Sequence, residues 1–169
     1  KVSCWVDGSR HDFGSEVGIP KSRINIVRLG SKGILWLGTA DQGMFRSTLP
    51  FAQLLKAEKG NNYFEVVWNK KRGATSNHVQ ALQETGESWW VGTADGVSEI
   101  RFNPFEVLAH FDERSGLPNK SVTSIAQSIK TRRLWLGTNK GLIEIDIQEK
   151  RIIRLLSKRD GLVDNEVWF

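Results

Sequence analysis

Four segments of this chain hold hydrogen-bonding and charged side chains at the same distance from a glycine. They are Lys21-Ser22-Arg23 after Gly18, Ser76-Asn77-His78 after Gly73, Asn119-Lys120-Ser121 after Gly116, and Asp164-Asn165-Glu166 after Gly161. Amides, hydroxyls and cations in such sets suit hydroxylated or anionic ligands, because they offer directional donors and charge-assisted hydrogen bonds. A second polar set, Asp41-Gln42, Asp95 and Asn139-Lys140, runs directly into Gly43, Gly96 and Gly141. Bond-making chemistry has no comparable support. His11, His78 and His110 have no partner at metal-ligand spacing, and neither His-x-x-x-His nor Cys-x-x-Cys occurs. No Gly-x-Ser-x-Gly elbow is present. Asp112-Glu113 and Asp160 stand just before glycines and read as turn residues rather than as an acid-base pair. The sequence therefore leads us to expect no catalytic residue, no metal and no cofactor. The binding candidates are Arg23, Asn77, His78, Asn119, Lys120 and Asn165, with Asp41, Asp95 and Asn139.

The elements that would carry these residues are marked by a repeated motif. Leu35-Trp36-Leu37-Gly38-Thr39 returns as Trp89-Trp90-Val91-Gly92-Thr93 and as Leu134-Trp135-Leu136-Gly137-Thr138. Self-similarity at such a period indicates a repeat architecture, and the spacing suits one four-stranded propeller blade per repeat. Other anchors keep the same register. Phe13, Trp68, Phe111 and Leu156 stand five residues before the four glycines, and Ile24, Val79, Val122 and Val167 stand six after them. The fold class is accordingly all-β: a β-propeller of four-stranded antiparallel blades, with about three full blades plus partial ones.

Each blade can be read as strands A to D. Strand A follows the glycine turn and alternates apolar with small residues, as in Val122-Thr123-Ser124-Ile125-Ala126. The tryptophan motif is strand B, rich in residues that suit a buried pleated surface. Asp-Gly and Lys-Gly tolerate the positive φ of a tight turn into strand C. Within the motif, Trp36, Trp90 and Trp135 offer area to bury between stacked sheets. Gly38, Gly92 and Gly137 allow close approach of a neighbour. Thr39, Thr93 and Thr138 can bond the turn through their hydroxyls. Alternating strand directions place the D-to-A loops and the B-to-C turns, and hence the candidate residues, on one face.

On these anchors residues 1–13 are a half blade (strands C and D). Residues 14–68 form a blade with a C–D insertion at 47–63, whose Pro50–Lys59 stretch reads as a helix. Residues 69–111 and 112–156 form two further blades. Residues 157–169 begin another, with Val167-Trp168-Phe169 opening its strand A. Rings need about four to eight blades. The chain thus reads as one propeller segment, to be completed by the remaining blades of a parent chain or by other copies of itself, a homodimer among them.

The net charge is +5, but the basic residues are scattered, and no run reads as a nucleic-acid arm. No nucleic-acid partner is expected. A single cysteine, Cys4, excludes an intrachain disulfide. No apolar stretch approaches membrane-spanning length.

The unit as a whole runs Gly-Leu-Pro, an aliphatic strand, Leu-Trp-Leu-Gly-Thr, a turn ending in glycine, and a second aliphatic strand. It resembles the two-component regulator propeller repeat, over nearly the whole chain. The second unit departs from it, with Gly73-Ala74-Thr75 in place of Gly-Leu-Pro. The resemblance implies a periplasmic sensor region of a bacterial hybrid histidine kinase or diguanylate cyclase. Such a region would bind an oligosaccharide or another small polar or anionic ligand, with kinase or cyclase chemistry elsewhere in the parent protein. Two other functions fit the repeat less well: a lectin-like propeller that closes its ring by oligomerisation, and a propeller lyase or hydrolase.

Overall fold

In a computed structural model, residues 1–168 are described, and nearly all of the regular structure is antiparallel strand. Phe169, the last residue of the expected new strand A, lies outside the described residues. The chain divides into two compact units, residues 1–78 and residues 79 onward.

In the first unit β1 (Val2–Val6) pairs with β2 (Ser9–Phe13) to make the half blade. Then β3 (Ile24–Leu29), β4 (Ile34–Thr39), β5 (Met44–Pro50) and β6 (Phe64–Trp68) form an antiparallel sheet in chain order. The insertion is more regular at its start than its sequence suggests. Strand β5 continues to Pro50, which pairs with Ile34, so the irregular part begins at Phe51. The helix expected over Pro50–Lys59 is a single turn, α1 (Phe51–Leu54). One turn suffices to bury Leu54 among Phe13, Val17, Ile19, Leu35, Leu37 and Phe64. Tertiary packing, rather than helix propensity, fixes it there.

The second unit holds two complete blades. One is β7 (Val79–Thr85), β8 (Ser88–Thr93), β9 (Gly96–Phe102) and β10 (Phe105–Phe111). The other is β11 (Val122–Ser128), β12 (Arg133–Thr138), β13 (Gly141–Asp146) and β14 (Arg151–Leu156). Strand β11 packs against β7 and β8. Between these sheets lie Trp90, Val97, Phe111, Leu117, Val122, Leu134 and Ile143, all buried.

Every repeat anchor has a physical task. Phe13, Trp68, Phe111 and Leu156 each end a strand D. Each is followed by a short 3-10 turn, at Ser15–Val17, Lys70–Arg72, Glu113–Ser115 and Lys158–Asp160. The glycines that end these turns are marked in the sequence, but the 3-10 turns themselves are not. Gly18, Gly73, Gly116 and Gly161 cap them in the left-handed region, with φ of 88°, 84°, 97° and 100°. The following N–H reaches back five residues in each case, for example Leu117 N–H to the Asp112 carbonyl at 3.0 Å. A residue with a Cβ strains there, which is why glycine marks the period.

The motif threonines act as read. Each hydroxyl donates to the carbonyl of the turn glycine: Thr39 to Gly43 at 2.8 Å, Thr93 to Gly96 at 3.1 Å and Thr138 to Gly141 at 2.9 Å. The same oxygens accept N–H bonds from Gln42, Asp95 and Lys140. Gly92 permits close approach: a Cβ there would lie 2.9 Å from both the carbonyl oxygen and Cγ1 of Val122, at the start of β11. Trp36 and Trp90 are buried, whereas Trp135 is half-buried under the Arg154 guanidinium, 5.5 Å from its ring centroid. His11 and His110 lie on β2 and β10, and the His110 ring nitrogen Nδ1 is hydrogen-bonded to the Ser98 hydroxyl at 2.9 Å.

Candidate ligand-binding loops

In each unit, hydrogen bonds tie the B-to-C turns to the D-to-A loops. In the first unit Gly43 N–H donates to the Asn77 carbonyl at 3.0 Å, and Ala40 N–H to that of Arg23 at 2.9 Å. The Ser22 hydroxyl donates to the Asp41 carboxylate. In the second unit Gly96 N–H donates to the Lys120 carbonyl, and Val167 N–H to that of Thr138 at 3.0 Å. Turn and loop therefore share one end of the strands in each unit, because strand direction alternates through a meander.

The candidate side chains are largely employed in shaping these loops. Asn77 Oδ1 accepts the Lys70 N–H at 2.8 Å, and Asn165 Oδ1 accepts the Lys158 N–H at 2.8 Å, each closing the loop between residues seven positions apart. Asn119 Oδ1 accepts the Ser121 N–H at 2.8 Å. These bonds use the carboxamide oxygens, so the amide nitrogens are the groups available to a ligand. Arg23 Nε donates to Asn25 Oδ1 at 3.1 Å. His78 N–H donates to the Ser76 hydroxyl. Lys120 stands 3.8 Å from the Asp95 carboxylate, both side chains being about half exposed, so the pair adds little stability. Asn139 is exposed on its turn.

Three carboxylates of the D-to-A loops, Asp112, Asp160 and Asp164, are bound by backbone N–H groups. The Ser157 hydroxyl and N–H both donate to Asp160, and this pair lowers the carboxyl pKa below its ordinary value. The N–H groups of Asn165 and Glu166, and then Lys158, do the same for Asp164. At Asp112, partial desolvation opposes the shift, but hydrogen bonds from Ser115 and Arg114 outweigh it, and the carboxyl again lies low. Asp112 and Asp160 are thus turn-forming groups.

Two shallow pockets open beside the loops. One of about 500 Å³ in the first unit includes Lys1, Asp12, Glu16, Lys21 and Lys59 on its walls. The other, of about 420 Å³, lies in the second unit and is lined by Pro118, Lys140, Ser157, Lys158, Arg159 and Asn165. Asn165 and Lys140 of this group stand out in the sequence, whereas Ser157, Lys158 and Arg159 do not, because only the 3-10 turn brings them beside Lys140. Among the described residues, no group of three or more His, Cys, Asp or Glu side chains is placed to hold a metal ion. No helix among them is long and apolar enough to cross a membrane.

No family model matches the chain, and no curated protein matches it significantly. Solved structures do. The extracellular domain of the hybrid two-component system protein BT3049 from B. thetaiotaomicron superimposes with a TM-score of 0.75 at 17% identity, over 97% of this chain and 21% of that one. The extracellular domain of the one-component system protein BT4673 from the same organism gives 0.64 at 17% identity, over 91% and 19%. PorZ, a surface component of the type-IX secretion system of Porphyromonas gingivalis, gives 0.69 at 13% identity, over 94% and 24%. This chain spans about a fifth to a quarter of the length of each. At these identities the likeness is one of fold. The all-β, four-stranded-blade architecture is shown, and the resemblance to sensor propellers read from the tryptophan motif is matched by the extracellular domains of such signalling proteins.

Proposed function

We propose that this chain is a non-catalytic ligand-sensing segment of a bacterial signal-transduction receptor of the two-component type. It would lie outside the cytoplasm, in the periplasm, and bind a polar ligand such as an oligosaccharide through its D-to-A loops and B-to-C turns. Any kinase or cyclase chemistry belongs to another part of the parent protein. One observation carries the reading: the blades match the extracellular domain of a hybrid two-component system protein over 97% of this chain. The loop chemistry supports it, since amide nitrogens of Asn77, Asn119 and Asn165 and the cations Arg23 and Lys120 suit hydroxyl and carboxylate groups. The loops are also fixed by backbone bonds, so a ligand meets groups already in place.

The test is calorimetric titration of a panel of neutral and acidic oligosaccharides into the purified full chain. At least one is expected to bind, and replacing Arg23, His78 and Lys120 together by Ala should weaken it. Unchanged affinity in a folded triple variant, or no binding across the panel, would reject the reading.

A further inference from the structure

We infer that the pocket between the β12–β13 turn and the loop after β14 is a subsite for the anionic group of an acidic sugar. This rests on the ligand-sensing reading and names the part of the ligand that the pocket takes. The β12–β13 turn departs from the repeat. Two residues after the motif threonine stand Asp41, Asp95 and then Lys140. Asp95 and Lys140 have the same backbone anchor, an N–H bond to the threonine hydroxyl, at 3.0 and 3.1 Å. The turn is therefore unchanged while its charge is reversed.

The consequence is local. Where the turn offers Asp95, a cation of the adjoining loop, Lys120, pairs with it. Where it offers Lys140, the adjoining loop also brings cations, Lys158 and Arg159, and a pocket of about 420 Å³ opens among them. That volume lies within the roughly 300–1,000 Å³ of small-molecule sites. No acidic side chain lines it. The nearby acids are engaged elsewhere: Asp160 with Ser157, and Asp164 with the N–H groups of Asn165 and Glu166 and with Lys158 at 3.4 Å. Lys140 and Arg159 form no ion pair among the described residues, although Arg159 also helps to hold the Asp160 carboxyl low, so an incoming anion meets one cation, Lys140, with no acidic neighbour and two that are partly shared. Ser157 and Asn165 add polar lining for sugar hydroxyls, and Pro118 adds an apolar wall. Carboxylate and sulfate ester share this chemistry, both being oxyanions that Lys and Arg bind by charge-assisted hydrogen bonds.

The experiment titrates three oligosaccharides of equal length into the full chain at low ionic strength: one of uronic acids, one carrying sulfate esters and one neutral. Wild type is compared with Lys140→Asp, which restores the charge of the other repeats on an unchanged turn, and with Lys140→Arg. Lys130→Ala, at the opposite end of β11 and β12, serves as the control. At least one acidic sugar is expected to bind wild type, the Arg variant and the control alike, and at least tenfold more weakly to Lys140→Asp. The tighter of the two acidic sugars identifies the oxyanion. Equal affinity in wild type and Lys140→Asp, or failure of both acidic sugars to bind wild type, overturns the subsite. If the neutral sugar still binds in that case, the sensing reading stands without the pocket; if no sugar binds, both fall.

Discussion

Glu99 and Lys150, 51 residues apart in the sequence, form an ion pair that joins two neighbouring blades. Glu99 is 4% exposed and lies opposite Trp90 in the β8–β9 register. Its other oxygen accepts the Ser88 hydroxyl at 2.7 Å. Lys150 comes from the turn between β13 and β14 and sets its ammonium 5.4 Å from the Trp90 ring centroid. The equivalent acid one blade on, Glu144, pairs instead with Arg133 at 3.8 Å and Arg154 at 2.6 Å, both from its own sheet. In the first complete blade an arginine, Arg46, holds that place opposite Trp36 and pairs with Glu65 of the adjacent strand at 2.7 Å. The same position thus serves three different contacts, only one of which ties two blades together.

Removing Lys150 should be costly, because it leaves a buried carboxylate without its cation. Breaking a fully buried pair costs about 3–5 kcal/mol. Lys150 is about a third exposed, so Lys150→Met is expected to cost about 1–3 kcal/mol after allowance for solvent screening. Glu99→Gln should cost less, since Ser88 keeps a partner and no charge is left buried. Urea unfolding of both variants checks the order; a larger loss in Glu99→Gln would mean that the pair does not stabilise the blade junction.

Two glycine substitutions separate crowding from backbone strain. At Gly92 the backbone is ordinary for any residue, but a Cβ would press on the Val122 carbonyl and on Ala81. At Gly86 φ is +63° and a Cβ meets nothing. Gly86→Ala should cost about 1–2 kcal/mol from the left-handed conformation alone. Gly92→Ala should cost about 1–3 kcal/mol and also perturb β11, because a strand must shift to make room. Hydrogen exchange reads the difference: the β11 amides should lose protection in Gly92→Ala and keep it in Gly86→Ala.

The loop after β14 should loosen in acid. Asp160 and Asp164 both have carboxyl pKa values lowered in the folded chain, Asp160 first by the Ser157 hydroxyl and Asp164 first by the Asn165 N–H. A carboxyl held low in the folded state stabilises above its unfolded pKa, and that contribution disappears as pH falls through the folded value. The loop amides of residues 157–166 are therefore expected to lose exchange protection only below the usual carboxylate range, and to be indifferent between pH 6 and 8. In Asp160→Asn the acid dependence should shrink while the neutral-pH protection falls.

The sequence by itself determined the period, the strands, the tight turns between strands B and C and the glycines that close the longer loops, because each rests on local stereochemistry. Gly18, Gly73, Gly116 and Gly161 must adopt a left-handed backbone, the threonines of the motif must bond the turn that follows, and Trp36 and Trp90 must find a sheet to cover them. These demands are written within a few residues of one another and recur, so the four-stranded blade and its sequence register were legible. Only the tertiary structure decided the rest. Composition made Pro50–Lys59 a helix, but it closes a single turn, held by burial of Leu54, by Phe51 against Phe13 and by the Phe51 N–H bond to the Gly33 carbonyl. The asparagines of the loops read as ligand groups, yet their oxygens are spent on Lys70, Ser121 and Lys158 N–H, because a loop closed over a 3-10 turn leaves donors that must be satisfied. Lys150 and Glu99 meet through packing between two blades, and Lys140 and Arg159 come to line one pocket only through the pairing of β13 with β14 and the 3-10 turn that follows. Neither spacing nor periodicity carries that information.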